Sequence, residues 1–408
     1  MAAARALSAF EEALAKRAGG LAPSRAQAFD GFIRNGFPNR RTEGWRWSDF
    51  RAALGDAAAS PAPIHQAAAP LADDLAGLMP IEIRIVNGRI DMRAEKLPDG
   101  LRCGVIDAGG GVLELSDHPV ATLNAAMTKK SVGIEVAKDT VLAPPIVIRH
   151  INDGAGFSFA QTMMRLGERA RATVIETFEG AGAAFHSHVF LLALKEGAHF
   201  DRAIFSETGP DAIIHSLFAS RIEAGATFAM TALSSGARLC RHETLAQVAG
   251  AGARVDIATA ALLGGDRHND FTSAIGFHAE GAEARQRHKG VAKEKARNVF
   301  QGKFRVLRGA QKTDARMNAD ALLLSDTSES NAKPELEIYA DDVQCAHGST
   351  SGALDERALF YMRQRGLSES AARAMLIEAF VGSTFDAVSH PGIEQAFRHR
   401  VAAWLEGV

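Results

Sequence analysis

Cys345 and His347 stand two residues apart in the stretch EIYADDVQCAHGST, which runs from Glu337 to Thr350. A thiolate and an imidazole are soft metal ligands, and they are also the usual partners in nucleophilic catalysis. Side chains two apart on an extended segment share a face, so the pair can reach one metal or each other. Asp341 and Asp342, just upstream, can add oxygen ligands or hydrogen bonds. Two ligands do not close a four-coordinate site. The pair therefore reads as half of a site that another chain must complete. The plainer reading of Cys345 is a small buried hydrophobe.

The other chemistry-bearing stretches are weaker. FHSHVF puts His186 and His188 on one strand face, as a metal site would begin, yet no carboxylate or cysteine follows nearby. His188, His215, His242 and His268 recur at nearly equal spacing, which predicts a ladder of histidines stacked on one sheet. RGAQKT at 308–313 has the Lys-Thr of a phosphate loop without its glycine spacing, and GAGARVD at 250–256 lacks the third glycine of a dinucleotide fingerprint. No GxSxG elbow occurs. The basic run at 284–306 reads as a solvated face, or as a surface for an acidic protein partner.

Bulk properties narrow the class. The 408 residues are 47% hydrophobic with a net charge of −2, which does not provide the basic excess that nucleic-acid binding needs. Three scattered cysteines, Cys103, Cys240 and Cys345, argue against a disulfide framework and for a reducing compartment. The N-terminal segment has no apolar core, and no apolar run long enough to span a bilayer occurs. The expectation is a cytoplasmic chain that neither crosses a membrane nor binds nucleic acid.

Three regions must position the candidate residues. Residues 1–80 read as helices, with Leu7, Phe10 and Leu14 on one stripe ended by Gly19–Gly20 and a second helix from Pro23 to Asn35, followed by an Ala/Pro connection. Residues 81–350 read as short alternating strands between glycine turns. Gly167, Gly197, Gly225, Gly252, Gly281 and Gly309 recur almost evenly along the chain. Their period, roughly 28 residues, falls within the ~20–45 residue range of stacked solenoid repeats. No helical period fills these units, so a β-solenoid is predicted. Residues 351–408 return to helix: Leu354, Ala358, Leu359 and Met362 form one stripe, Ala372, Leu376 and Phe380 a second, and Ile393, Phe397, Val401 and Trp404 a third. The terminal helices are expected to cap the open sheet ends.

The segment from VFQGKFRVLRGAQKTDA through LLLSD and KPELEIYADDVQCAHGST to DERALFYMRQRG, Phe300 to Gly366, closely resembles the SufB/SufD family of iron–sulfur cluster assembly proteins. EGWRWSDF resembles the family's N-terminal segment. Length and cysteine poverty resemble the SufD branch more than the SufB branch. The resemblance implies a right-handed parallel β-helix flanked by helical regions. It implies a non-catalytic scaffold subunit without catalytic residues, paired with a SufB-like subunit through the β-helix. The C-terminal helices would dock a SufC-like ABC ATPase, with Tyr361, Met362, Leu376 and Phe380 as candidate contacts. A transient iron–sulfur cluster would form at the subunit interface, with no cofactor held stably by the isolated chain and flavin involvement undecided. His347, and Cys345 as a ligand or a bystander, map onto the interface CxHG element, with His347 the metal-ligand candidate. Self-pairing of the isolated chain stays open. The readings from other classes are a carbohydrate-active β-helix enzyme, which would need clustered carboxylates mid-solenoid, and a purely structural adaptor.

Overall fold

A computed structural model describes residues 8–18, 21–54, 69–92, 96–109, 113 and 115–407. Strands alternate between two sheets as the chain advances, so each coil of a parallel β-solenoid adds one strand to each sheet. One sheet has ten strands and runs from Arg89–Met92 and Ile81–Val86 to Gln344–Gly352; the other has nine and runs from Leu101–Asp107 to Glu329–Ile338. Successive coils stay in register along whole strands, but the coils differ in length. The coil that joins Arg297 to its partner Glu329 is several residues longer than the one that joins Ser216 to His242.

The alternating pattern works because every second side chain points into the bore. Ile148, Val174, Phe200, Phe228 and Val255 are among the residues that fill it, and the Phe218 and Phe228 rings stack at 4.8 Å. The glycine repeat marks one corner of the coil. Gly197, Gly225, Gly252 and Gly281 have φ of 62° to 68° there, a left-handed conformation that glycine takes without steric cost. Gly167 and Gly309 sit just before that corner, and Arg169 (φ 55°) and Lys312 (φ 60°) make the turn instead. Gly167 has its own constraint, since a Cβ would lie 2.5 Å from the Lys138 amide nitrogen of the previous coil.

The histidine ladder does not form. His188 pairs with Ser216 and Ser216 with His242, so these two histidines point into the bore with a serine between them. His215 is one residue out of phase and points outward, against Trp45 and Phe50. His242 pairs with Phe271, which leaves His268 outward as well, beside Ser48. At every step the histidine spacing differs from the coil length by an odd number of positions. Each step therefore flips the side chain to the other face of the sheet.

The terminal helices do not cap the solenoid. Helices Ala9–Arg17 and Pro23–Asn35 pack sideways on the outer face of the nine-stranded sheet, where Phe10, Phe32 and, just past the second helix, Phe37 cluster with Phe157, Phe159 and Phe185. Leu7 and Gly19–Gly20, together with most of the Ala/Pro connection, lie outside the described residues. Helices Glu356–Gln364, Glu369–Gly382 and Pro391–Leu405 cover the outer face of the ten-stranded sheet, burying Val147, Ile175, Phe205, Leu262 and Val291. The short helix Asp73–Ala76 joins that layer through Leu75. At the N-terminal end the sheets close with antiparallel strands, Arg89–Met92 and Leu101–Asp107. At the C-terminal end Glu329–Ile338 and Gln344–Gly352 are each outermost in their sheet, and neither has a strand beyond it among the described residues.

Candidate functional site

The open C-terminal mouth carries the Cys–His pair. Cys345 pairs in register with Ala315 and His347 with Met317, and both of those partners belong to the bore. Cys345, His347 and Ser349 therefore continue the inward line Ala315, Met317, Ala319. They differ from it in one respect: among the described residues no further coil lies above them. His347 is exposed and Cys345 half-buried. Partial burial raises the Cys345 thiol above its ordinary pKa, opposed by a backbone hydrogen bond with Ala315 and assisted by Asp314. The resting form is the thiol, and a bound cation would have to displace its proton.

The acidic residues before the pair do not join it. Asp342 stands at the corner of the last coil, where its side chain pairs with Lys312 and its carbonyl accepts from the Lys312 amide. Asp341 is exposed at the same bend. A cavity of about 200 Å³ opens between the two last strands and reaches from Ser349, Ser351 and Ser330 inward to Asn298 and His288.

The candidate contacts on the C-terminal helices divide. Tyr361 is 60% exposed, but Met362, Leu376 and Phe380 lean on the helix–sheet core, with the Lys289 ammonium 4.6 Å from the Phe380 ring. The buried face of Glu369–Gly382 is Ala372, Ile377 and Val381. The apolar surface that faces solvent is instead Phe360 at 64%, Tyr361 and Met375 at 50%. The sequence signal for Phe360 and Met375 was their position one residue beside the core stripe, which marks its rim.

A second constellation explains the N-terminal resemblance. Trp45 lies over the Arg241 guanidinium at 3.9 Å and stacks on His215. Arg241 donates to Asp270 at 2.5 Å and to Glu243 at 2.9 Å, and Ser48 donates to the same Asp270 carboxylate. His118 and His215 both reach Oε1 of Glu243, at 3.1 and 2.9 Å. Burial alone would raise the Glu243 carboxyl, but Arg241 and the two imidazoles hold it well below the carboxylate range. The EGWRWSDF segment is thus bolted to the solenoid wall by a buried charge network. The Glu243 carboxylate is 5% exposed, and its oxygens are taken up by Arg241, His118 and His215.

A two-sheet parallel solenoid with helices on its flanks and an open end bearing CxHG defines a recognisable class. The family model described as "SUF system FeS cluster assembly, SufBD core domain" matches residues 149–380, and the chain belongs to the SufB/SufD family. Within it the chain is most like SufD: it is 28% identical over 400 residues to the iron–sulfur cluster assembly protein SufD of Escherichia coli, covering 94% of this chain and 93% of that one. The SufD of Bacillus subtilis is 27% identical over 153 residues, 38% of this chain and 35% of its own. A SufBD family protein of Synechocystis is 29% identical over 237 residues, 58% and 46% of the two chains. The chain has a role in iron–sulfur cluster assembly. Among the described residues, no helix is long and apolar enough to cross a membrane.

Proposed function

We propose that the chain is a scaffold subunit whose open solenoid mouth pairs with the matching end of a SufB-like subunit, and that the nascent cluster is held between them. The observation that carries this reading is the pair of strands at the C-terminal end whose outer edges have no partner among the described residues. Two neighbouring sheet edges, Glu329–Ile338 and Gln344–Gly352, are left bare of any covering helix among the described residues. They present rows of free amides and carbonyls that invite strand pairing. Pro334 fits an edge strand, where a missing donor is tolerated. A second solenoid end would extend both sheets and enclose Cys345 and His347. The imidazole of His347 then serves as a neutral ligand or proton acceptor, and the partner supplies the remaining ligands. The chain has no catalytic residues of its own in this reading. A SufC-like ATPase docks on the exposed rim of Phe360, Tyr361 and Met375 and supplies the energy.

His347→Ala tests it. Surface substitutions away from special features typically cost within about 0.5 kcal/mol, so the variant should fold and bind the SufB-like partner. Anaerobic reconstitution on the complex should nevertheless lose most of its cluster absorbance. Cys345→Ala separates ligand from bystander: a bystander leaves cluster yield unchanged. Normal cluster assembly on a folded His347→Ala complex refutes the half-site reading.

A further inference from the structure

Polar side chains recur along the bore, among them His242, Gln286 and His288, and one layer near its N-terminal third brings two imidazoles onto a buried carboxylate. His150 and Glu176 enter from adjacent strands of the ten-stranded sheet, Ile146–Ile151 and Arg171–Gly180. His188 enters from Ala184–Leu194 of the opposite sheet. All three side chains are fully buried. Both imidazoles converge on one carboxylate oxygen: His150 Nε2 is 3.1 Å from Glu176 Oε1, and His188 Nδ1 is 3.3 Å from the same atom. The two rings lie 4.0 Å apart, centroid to centroid. His188 Nε2 is engaged by Thr162 Oγ1 at 3.1 Å, which fixes the ring. Its Nδ1, although buried and close to the carboxylate, makes no hydrogen bond.

We infer that His150, Glu176 and His188 form a site for one divalent first-row transition ion of the Fe2+ or Zn2+ class, inside the solenoid and separate from the mouth. Two imidazoles and one carboxylate with an open position are the donor set that such ions take in non-haem iron and zinc sites. The spacing fits: ligands about 2.0–2.1 Å from a tetrahedral ion stand about 3.3 Å from one another. Thr162 is the outer partner that orients a ligating imidazole. An ion bonded to His188 Nδ1 also satisfies an atom that is otherwise stranded, and buried orphans are rare. Burial holds the His188 ring neutral, its pKa well below the ordinary value, which is the ligating form.

Arg202 bears on the ion's affinity. It donates to the other carboxylate oxygen, Glu176 Oε2, at 2.5 Å, leaving Oε1 to the imidazoles, but its positive charge opposes a cation at short range. The site is therefore weaker than one with the same donors and no neighbouring cation. Arg202→Met should tighten it. This inference does not depend on the scaffold reading, because none of its ligands lies at the mouth.

The test uses the full chain with Cys345→Ala and His347→Ala to silence the mouth. Co2+ is added both to the native protein and during refolding, since the site is enclosed. One Co2+ per chain with the intense visible bands of a low-coordinate site is expected, and the bands should vanish in His150→Asn/His188→Asn. Zn2+ and, under anaerobic conditions, Fe2+ are then titrated against bound Co2+ to show which ion the site prefers. X-ray absorption of the Zn2+-loaded protein should show nitrogen and oxygen ligands without sulfur, which keeps the test decisive should the double variant fail to fold. A folded protein that retains no Co2+ or Zn2+ by either route, an unchanged spectrum in the folded double variant, or a sulfur ligand overturns the assignment.

Discussion

Lowering the pH from 7 to 5.5 should destabilise this protein steeply, because its buried histidines fold in the neutral form. Burial lowers the pKa of His215, His268 and His288 from 6.5 to about 4 and that of His242 to about 3; at His215 and His288 hydrogen bonds to Glu243 and Asn298 oppose the fall without cancelling it. A group whose pKa is depressed by folding is protonated first in the unfolded chain. Its contribution is complete above 6.5 and is lost as the pH falls toward about 4. Each such histidine costs about 1.2 kcal/mol between pH 7 and 5.5, and four together about 5 kcal/mol. That is comparable with the ~5–15 kcal/mol that holds a typical domain together. Glu243 and Glu176, both held below the usual 4.5, add their own loss only at lower pH, so the window from 6.5 to 4.5 belongs to the histidines. Urea unfolding followed by circular dichroism at half-unit pH steps reads the effect. A midpoint that stays constant from pH 7 to 5.5 would refute the argument, since it would mean that the folded protein takes up these protons as readily as the unfolded chain.

Two further outcomes can be checked on purified protein. Arg241→Met removes the only guanidinium that meets both Glu243 and Asp270 in the described structure and leaves two buried carboxylates without their shared cation, at a cost of about 3–5 kcal/mol. It also frees the Trp45 ring, so tryptophan emission should shift to the red and proteolysis should begin near residues 39–53; an unchanged urea midpoint and spectrum would show that the network does not hold this segment. Phe360→Asp with Met375→Asp should abolish co-purification of a SufC-like ATPase while sheet content stays constant, because both side chains are at least half exposed. Point changes are the right tool: deleting the helices would bare Val147, Ile175, Phe205 and Val291. Undiminished ATPase binding would place the docking surface elsewhere.

The solenoid was legible in the sequence because its determinants are local and periodic. A strand that alternates every two residues, and a corner that needs a left-handed residue once per coil, leave their marks at Gly197, Gly225, Gly252 and Gly281. That Cys345 and His347 share one strand face was likewise legible, because residues two apart on a strand are a local fact. Side-chain direction was not legible. It depends on whether each coil is odd or even in length, and one residue decides whether His215 faces the bore or Trp45. The placing of the terminal helices was also undetermined, because an amphipathic stripe specifies that a face is buried but not against what. Only the folded chain shows that these helices cover the flanks and, among the described residues, leave the C-terminal edges bare. His150 and Glu176 meet His188 across the bore from three different strands. No local pattern encodes that meeting, because the registry of successive coils creates it.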